Sequence, residues 1–122
     1  MIFHHGTDLE SAKALLSARP LDAARAAALK IDGPPGFFLA TDLADAEFFA
    51  LRQLRGPGAV LLFDISATAL SSLSARGAVR RPVPRGPRSP RFGGDELHVP
   101  PDAFELFNDL CRSGEIVISA AP

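Results

Sequence analysis

Four residues near the start of the chain are of types that can do chemistry: His4, His5, Gly6 and Thr7. An imidazole can hydrogen-bond a ligand or exchange a proton near neutral pH, and a glycine lets the backbone approach a ligand closely. The apolar residues before them and the turn-forming Gly6-Thr7 pair predict that the two histidines lie where a strand ends. We therefore expect His5 and the backbone of Gly6 to be held rigidly and to remain reachable.

An aromatic segment and a glutamate supply two further candidates. Phe38 lies in the run 36–42, which predicts a strand followed by a capped helix. Glu96 follows the Gly93-Gly94 pair, in a segment that alternates polar and apolar residues. Glu115, in the last predicted strand, is the alternative carboxylate.

Several other chemistries find no support in the sequence. Adjacent histidines on a strand point to opposite faces, and the spacing of zinc ligands is missing, so we expect no metal site. The glycines lack the context of a phosphate-binding or dinucleotide-binding loop. A Gly-x-Ser-x-Gly elbow, which a serine hydrolase of the α/β class would need, does not occur.

Length and composition predict one domain that covers residues 1–122. The chain has 122 residues, of which 47% are apolar, enough to bury a core. Its one cysteine, Cys111, excludes an intrachain disulfide and suits a reducing compartment. No apolar run approaches the roughly 20 residues that a membrane span needs, and the first residues lack the pattern of a signal peptide. We expect a cytoplasmic protein without membrane contact.

An arginine- and proline-rich segment covers residues 76–91. It holds six arginines and no acid, whereas the rest of the chain carries a net charge of -7. Its four prolines remove backbone donors and predict a flexible, exposed loop. Such a loop could bind a nucleic acid, an acidic partner or the pyrophosphate of a dinucleotide.

The remaining segments alternate between helix and strand patterns. Thr7 and Glu10 form a predicted capping box for a helix over 8–17. Apolar periodicity and turn residues predict strands over 37–40, 59–65, 95–99 and 115–118, and helices over 21–29, 41–54, 66–73 and 102–112. We expect strand 95–99 to have one wet face, and the acids and Asn108 of helix 102–112 to share one polar side.

The His-Gly-Thr sequence at 5–7 and the Gly-Phe-Phe-Leu-Ala-Thr-Asp sequence at 36–42 resemble the first two motifs of ADP-ribosyltransferase-like domains. The glutamate after Gly93-Gly94 is similar to their third motif. The resemblance implies an α+β fold, a single-domain split β-sheet with peripheral helices, in which NAD binds between the two halves of the sheet. The chain departs from the family pattern in having Phe38 where tyrosine is common and in lacking a Gln-x-Glu or Glu-x-Glu pair.

The resemblance also implies a role for each candidate residue. His5 would hydrogen-bond a ribose hydroxyl of NAD, and Phe38 would stack on the nicotinamide ring. Gly6 backbone groups would hold the nicotinamide amide, with Thr7 completing the binding motif. Glu96 would stabilise the oxocarbenium ion that forms when the bond between nicotinamide and ribose breaks. The catalytic residues are then His5 and Glu96, and NAD is consumed as a substrate.

We therefore expect a NAD-dependent ADP-ribosyltransferase, small and toxin-like, that modifies an unidentified protein or nucleic acid in the cytoplasm under the control of a partner protein. Two alternatives stay open. One is an RNA 2'-phosphotransferase-like enzyme, which the arginines favour. The other is a non-catalytic module that binds a nucleotide or a protein on the same fold.

Overall fold

The computed structural model describes residues 1–17, 20–22, 36–48, 58–82 and 94–120. Six strands are present in these ranges: β1 (Ile2–Asp8), β2 (Phe37–Ala40), β3 (Gly58–Ile65), β4 (Val79–Pro82), β5 (Asp95–Val99) and β6 (Ile116–Ala120). The helices in the same ranges are α1 (Leu9–Leu15), α2 (Leu43–Phe48), α3 (Ala67–Ala75) and α4 (Phe104–Ser113), and a 3₁₀ turn (Pro101–Ala103) precedes α4. The predicted helix over 21–29, and the second half of the helix predicted over 41–54, lie mostly outside the described residues.

The strands form one open sheet in the order β4-β5-β2-β1-β3-β6, and every neighbouring pair is antiparallel. An antiparallel sheet with helices attached to it is a mixed α/β architecture, which confirms the expected fold class at this level. The strand order brings β1, β2 and β5 next to one another. These are the three strands that carry His5, Phe38 and Glu96.

The sheet is joined unevenly on the two sides of β1. On one side, β1 pairs with β3 along its whole length, from Ile2 opposite Asp64 to Asp8 opposite Gly58. On the other side, the described residues give β1 and β2 a single registered pair, His4 with Ala40. This pair lies at the middle of the sheet, with β5 and β4 beyond β2 and with β3 and β6 beyond β1. We call this place the β1–β2 junction.

One face of the sheet carries the hydrophobic core, and we call it the core face. Phe3, Leu61, Phe63 and Ile65 lie on it and are almost completely buried. The side chains of α1, α3 and α4 that cover this face complete the core: Ala12, Leu15, Ala69, Leu73, Phe104 and Phe107. Helix α2 packs over β1, β2 and β3 on the opposite face, which we call the second face.

The first helix begins one residue later than predicted. Thr7 pairs with Ala59 of β3. Its backbone is therefore extended, and strand β1 runs on to Asp8. Asp8 is the N-cap of α1, and its Oδ1 accepts a hydrogen bond from the Ser11 backbone N–H at 2.7 Å. The prediction of a Thr7 capping box was wrong, and so was the prediction that Gly6-Thr7 ends the strand.

The predicted exposed loop over 76–91 begins with structure. Val79–Pro82 forms strand β4 at the edge of the sheet, paired with β5 from Val79 opposite His98 to Pro82 opposite Asp95. An edge strand tolerates a proline at its end because that residue need not donate to the ladder. The loop prediction was therefore wrong for residues 79–82, while residues 83–91 lie outside the described residues.

Asn108 is a core residue rather than part of a polar helix side. It is completely buried, and its amide bonds the backbone of Leu21 twice, accepting from the N–H at 2.9 Å and donating to the carbonyl at 2.9 Å. These bonds satisfy both polar groups of a buried backbone segment that has no strand or helix partner of its own. The expectation that Asn108 would share one polar side with the acids of this helix was wrong.

Candidate functional site

A row of four side chains crosses the second face of the sheet. In the register of β4, β5, β2 and β1, the row runs Arg81, Glu96, Ala40, His4. Directly paired residues of antiparallel strands project from the same face, so Glu96 and His4 share this face with only the small Ala40 between them. Neighbouring strands are about 4.8 Å apart, which leaves the backbones of Glu96 and His4 roughly 10 Å apart.

The next row on the second face contains two rings. Phe38 is paired with His98, and the centroids of their rings are 4.8 Å apart. The Arg81 guanidinium lies over the Phe38 ring, 5.6 Å from its centroid, within the range of a cation–π contact. Phe38, Glu96 and Arg81 thus form one group, and together with His4, His98 and Asp45 of α2 they make up what we call the second-face site.

Glu96 is buried and paired rather than solvated. Its side chain is 8% exposed, and its Oε1 accepts a hydrogen bond from Arg81 Nε at 2.8 Å. The prediction of a wet face for strand 95–99 was wrong, because α2 and Arg81 cover the side from which Glu96 projects. A buried carboxylate held by one guanidinium is the type of group that active sites use, and structural ion pairs use it as well.

Asp45 adds a second buried carboxyl group next to Glu96. It is 3% exposed, and its Oδ2 has no hydrogen-bond partner in the described part of the chain. Burial raises the pKa of Asp45, and the negative charges of Asp42 and Glu96 raise it further. The three acids therefore crowd one end of the second-face site.

Gly94 makes room for this crowding. A Cβ at Gly94 would lie 2.6 Å from Asp45 Oδ2 and 2.9 Å from Asp42 Oδ2, closer than real Cβ atoms approach any neighbour. A side chain at position 94 would therefore displace the carboxylates of Asp42 and Asp45. This gives a steric reason for a glycine immediately before the strand that carries Glu96.

His4 brings an unsatisfied imidazole to the same face. Its Nδ1 is buried and has no hydrogen-bond partner among the described residues. Buried polar atoms are nearly always bonded, so the unpaired atoms of His4 and Asp45 mark a place where a ligand or a water would be bound. Both lie on the second face, where Glu96 and Phe38 also project.

His5 lies on the core face, half-buried among aromatic rings. Its ring centroid is 4.2 Å from that of Phe37 and 6.4 Å from that of Phe63. Its Nδ1 lies 2.6 Å from the Phe38 carbonyl oxygen, across the β1–β2 junction. Because a carbonyl oxygen can only accept, the hydrogen is on Nδ1 and the Nε2 lone pair is left to accept a bond. Desolvation lowers the pKa of His5 to about 4, although the Phe38 hydrogen bond opposes that shift.

Gly6 and Thr7 follow His5 along β1. Gly6 pairs with Val60 of β3, and Thr7 is buried on the core face opposite Ala59. Continued by two residues, the register of the His4–Ala40 pair would set Gly6 opposite Phe38. The described strands make no such pair, so Gly6 faces β2 at the place where the ladder between the two halves has ended.

The structure therefore brings together some of the predicted site residues and separates others. Phe38 and Glu96 both project from the second face, and Gly6 faces β2 at the junction. The side chains of His5 and Glu96 project from opposite faces, and His5 reaches β2 only through the Phe38 carbonyl oxygen. The roles assigned to these residues stay predictions.

Glu115, the alternative carboxylate, lies at the far edge of the sheet. It precedes β6, and its carboxylate accepts a hydrogen bond from the Ser66 hydroxyl, which in turn caps α3 by accepting from Ala69 N at 3.0 Å. Three strands separate β6 from β5 in the sheet order. Glu115 therefore joins two elements of the fold and is not part of the second-face site.

Sequence reasoning missed Arg81 and Asp45. A signal for Arg81 was present, because two adjacent arginines and two adjacent acids can form one ion pair on each face when their segments pair as strands. Asp45 gave no signal of its own, since an acid in the first turn of a helix is ordinarily solvated. Only the packing of α2 onto the sheet shows that it is buried.

The described residues offer little to two other types of site, a metal centre and a reactive thiol. No group of three or more His, Cys, Asp or Glu side chains there could hold a metal ion. A shallow cavity of about 240 Å³ lies between α1, α4 and β6, and Cys111 is in its lining. Burial raises the pKa of the Cys111 thiol to about 11, so the thiol is protonated at neutral pH and is a poor nucleophile.

Comparison with protein-family models, with curated proteins and with solved structures finds no match for this chain. Among the described residues, the helices are all too short or too polar to cross a bilayer.

Proposed function

We propose that this protein is a NAD-dependent ADP-ribosyltransferase that breaks the bond between nicotinamide and ribose and transfers ADP-ribose to a protein or nucleic acid in the cytoplasm. The observation that carries the proposal is the adjacency of β1, β2 and β5. These strands hold the His-Gly-Thr motif, Phe38 and Glu96, and the sheet order makes them neighbours although 91 residues separate His5 from Glu96.

The β1–β2 junction supports the proposal because it offers a place for a ligand between two halves of the sheet. One registered pair joins the halves, and Gly6 faces β2 just beyond that pair. A glycine there leaves the backbone open to the amide of a nicotinamide. His5 is neutral, and its Nε2 can accept a hydrogen bond from a ribose hydroxyl.

Phe38 and Glu96 suit the chemistry of the proposed reaction. The nicotinamide of NAD is a flat cation, which would stack on the Phe38 ring. When nicotinamide leaves with the electrons of the broken bond, positive charge develops on the ribose carbon that carried it. A carboxylate near that carbon lowers the barrier. An acceptor atom then bonds to the same carbon and loses its proton. Glu96 is the carboxylate that we assign to this step.

Incubation with labelled NAD and a cell lysate tests the proposal, with nicotinamide release and transfer of label to protein, DNA and RNA measured in parallel. The parent protein should release nicotinamide above background. Glu96→Gln keeps the shape and removes the charge, so release should fall by at least about 10²-fold, the effect of losing a few kcal/mol of transition-state stabilisation. NAD binding should change by no more than about tenfold, because glutamine keeps the hydrogen-bonding shape of the side chain.

Glu115→Gln is the matched control, because Glu115 is a glutamate beside the same sheet but at its far edge. It should leave release within about twofold of the parent. If the protein neither binds nor consumes NAD with any lysate, the enzyme proposal is refuted. If both glutamine variants match the parent while His5→Ala is inactive, an RNA 2'-phosphotransferase becomes the better assignment, and an RNA with an internal 2'-phosphate is the substrate to test.

A non-catalytic module that binds a nucleotide or a protein is the second candidate. The observation that favours it is the Arg81–Glu96 ion pair, which neutralises the proposed catalytic carboxylate, together with the projection of His5 from the other face. This candidate predicts saturable NAD binding with no nicotinamide release from the parent or any variant. Calorimetry beside the release assay separates the two candidates.

A further inference from the structure

Arg81 gives the second-face site an occupant from the chain itself. Its guanidinium is a flat cation, it lies over the Phe38 ring, and it donates to Glu96. An aromatic face and a carboxylate at one place are the two groups that recognise a flat cation. Arg80, the residue before Arg81 on β4, instead donates to the Asp95 carboxylate at 3.0 Å and projects from the core face.

We propose that Phe38 and Glu96 form a binding site for a flat organic cation, and that Arg81 occupies this site in the free protein and must leave before a ligand enters. We identify this cation as the nicotinamide ring of NAD, and that identification rests on the proposed function. Strand β4 is then a closing element of the site.

The exposure of the two partners fits an occupant that can leave. The Arg81 side chain is 39% exposed, whereas that of Glu96 is 8% exposed. Released into water, Arg81 would regain hydration, but Glu96 would be left beside the Asp45 carboxyl without its counter-charge. A buried carboxylate without a counter-charge is unfavourable, so removal of Arg81 creates a demand for another cation at the same place. Phe38 makes a flat cation the preferred replacement.

The position of β4 also allows the movement. It is an edge strand of four residues and pairs with β5 alone. Its Arg80–Asp95 ion pair with β5 is partly solvated, since these side chains are 48% and 37% exposed. A pair of this exposure adds little to stability, and an edge strand separates from its sheet more readily than a central one.

Arg81→Ala tests the proposal with a pair of probes that differ in charge. The first probe is 1-methylnicotinamide, a flat cation, and the second is nicotinamide, its neutral counterpart. Titrations followed by NMR should show that Arg81→Ala binds the cation about tenfold more tightly than the parent does, with no such gain for the neutral probe. Arg80→Ala is the matched control and should bind both probes as the parent does.

Glu96 supplies the second control. In the double variant Arg81→Ala, Glu96→Gln, the gain for the cation should disappear because the buried charge has gone. An equal gain for both probes, or a gain that survives the Glu96 change, would overturn the proposal. So would unchanged cation affinity in a folded Arg81→Ala variant.

The parent protein gives a test that does not depend on the folding of a variant. Saturation with 1-methylnicotinamide should shift the Nε–H resonance of Arg81 and leave that of Arg80 in place. A bound cation that leaves the Arg81 resonance unmoved would refute the displacement. These readouts measure binding at equilibrium, so they can support displacement of Arg81 even in a protein that never turns over NAD. Failure of the displacement proposal is therefore distinguishable from failure of the proposed transferase activity.

Discussion

Acid should destabilise this protein through His5. Burial disfavours the charged imidazole, so the pKa of His5 is about 4 in the folded protein, whereas its ordinary value is 6.5. As the pH falls below 6.5, the unfolded chain binds a proton at this position and the folded chain does not. The free energy of unfolding therefore falls between pH 6.5 and pH 4, and this contribution is constant below pH 4.

The size of the effect follows from the two pKa values. Each pKa unit corresponds to 1.36 kcal/mol, so a difference of about 2.5 units lowers the free energy of unfolding by about 3 kcal/mol. Stability of a domain this size is about 5–15 kcal/mol, so the loss is a large part of the whole. Other groups titrate in the same range, and a variant is needed to isolate the share of His5.

His5→Gln is the variant of choice because its side-chain amide can still donate to the Phe38 carbonyl but does not titrate. Urea unfolding from pH 7.5 to pH 4, followed by circular dichroism, gives the free energy of unfolding for both proteins. The parent should lose about 3 kcal/mol more than the variant over this range. Parallel pH profiles, or an NMR titration of the His5 ring with a midpoint near 6.5, would refute the reasoning.

Two further variants test the buried polar groups. Asp45→Asn should raise the free energy of unfolding at pH 7 by about 1 kcal/mol, because it removes a buried charge close to Asp42 and Glu96. The gain should vanish below about pH 4, where the carboxyl is protonated in folded and unfolded chains alike, and a gain independent of pH would contradict this account. Asn108→Ala should cost about 2–4 kcal/mol in urea unfolding, since it leaves the buried N–H and carbonyl of Leu21 without partners. A cost near zero would mean that water replaces the amide there.

Much of the strand content could be predicted because its signals are local. Residues 37–40 and 59–65 are apolar runs, each preceded by glycine and proline, and they form β2 and all of β3 except its first residue. The alternation over 95–99 likewise marks β5. Alternation specifies that the two faces of a strand differ, but it does not specify what covers each face. For that reason the sequence predicted β5 correctly and the environment of Glu96 wrongly.

The features that could not be predicted depend on contacts between distant segments. The prolines after Arg81 suggested a loop, and the two ion pairs to Asp95 and Glu96 show that the arginines before them belong to a strand. Likewise, threonine is a residue type that favours the N-cap of a helix, but the pairing of Thr7 with Ala59 keeps it in β1. In both segments, strand pairing between residues far apart in the sequence outweighs the local preference for a loop or for a helix cap.

The choice between His4 and His5 shows how much depends on register. Successive side chains of a strand project from opposite faces, so a shift of one residue between β1 and β2 would exchange the two histidines. The pairing of His4 with Ala40, and of Ala40 with Glu96, sets His4 on the face of the acids. His5 lies on the core face, where its Nδ1 bonds the carbonyl oxygen of Phe38, the residue whose ring lies under Arg81 on the second face. On this geometry His5 positions the junction, and His4 is the histidine whose unpaired nitrogen shares the second face with the proposed ligand.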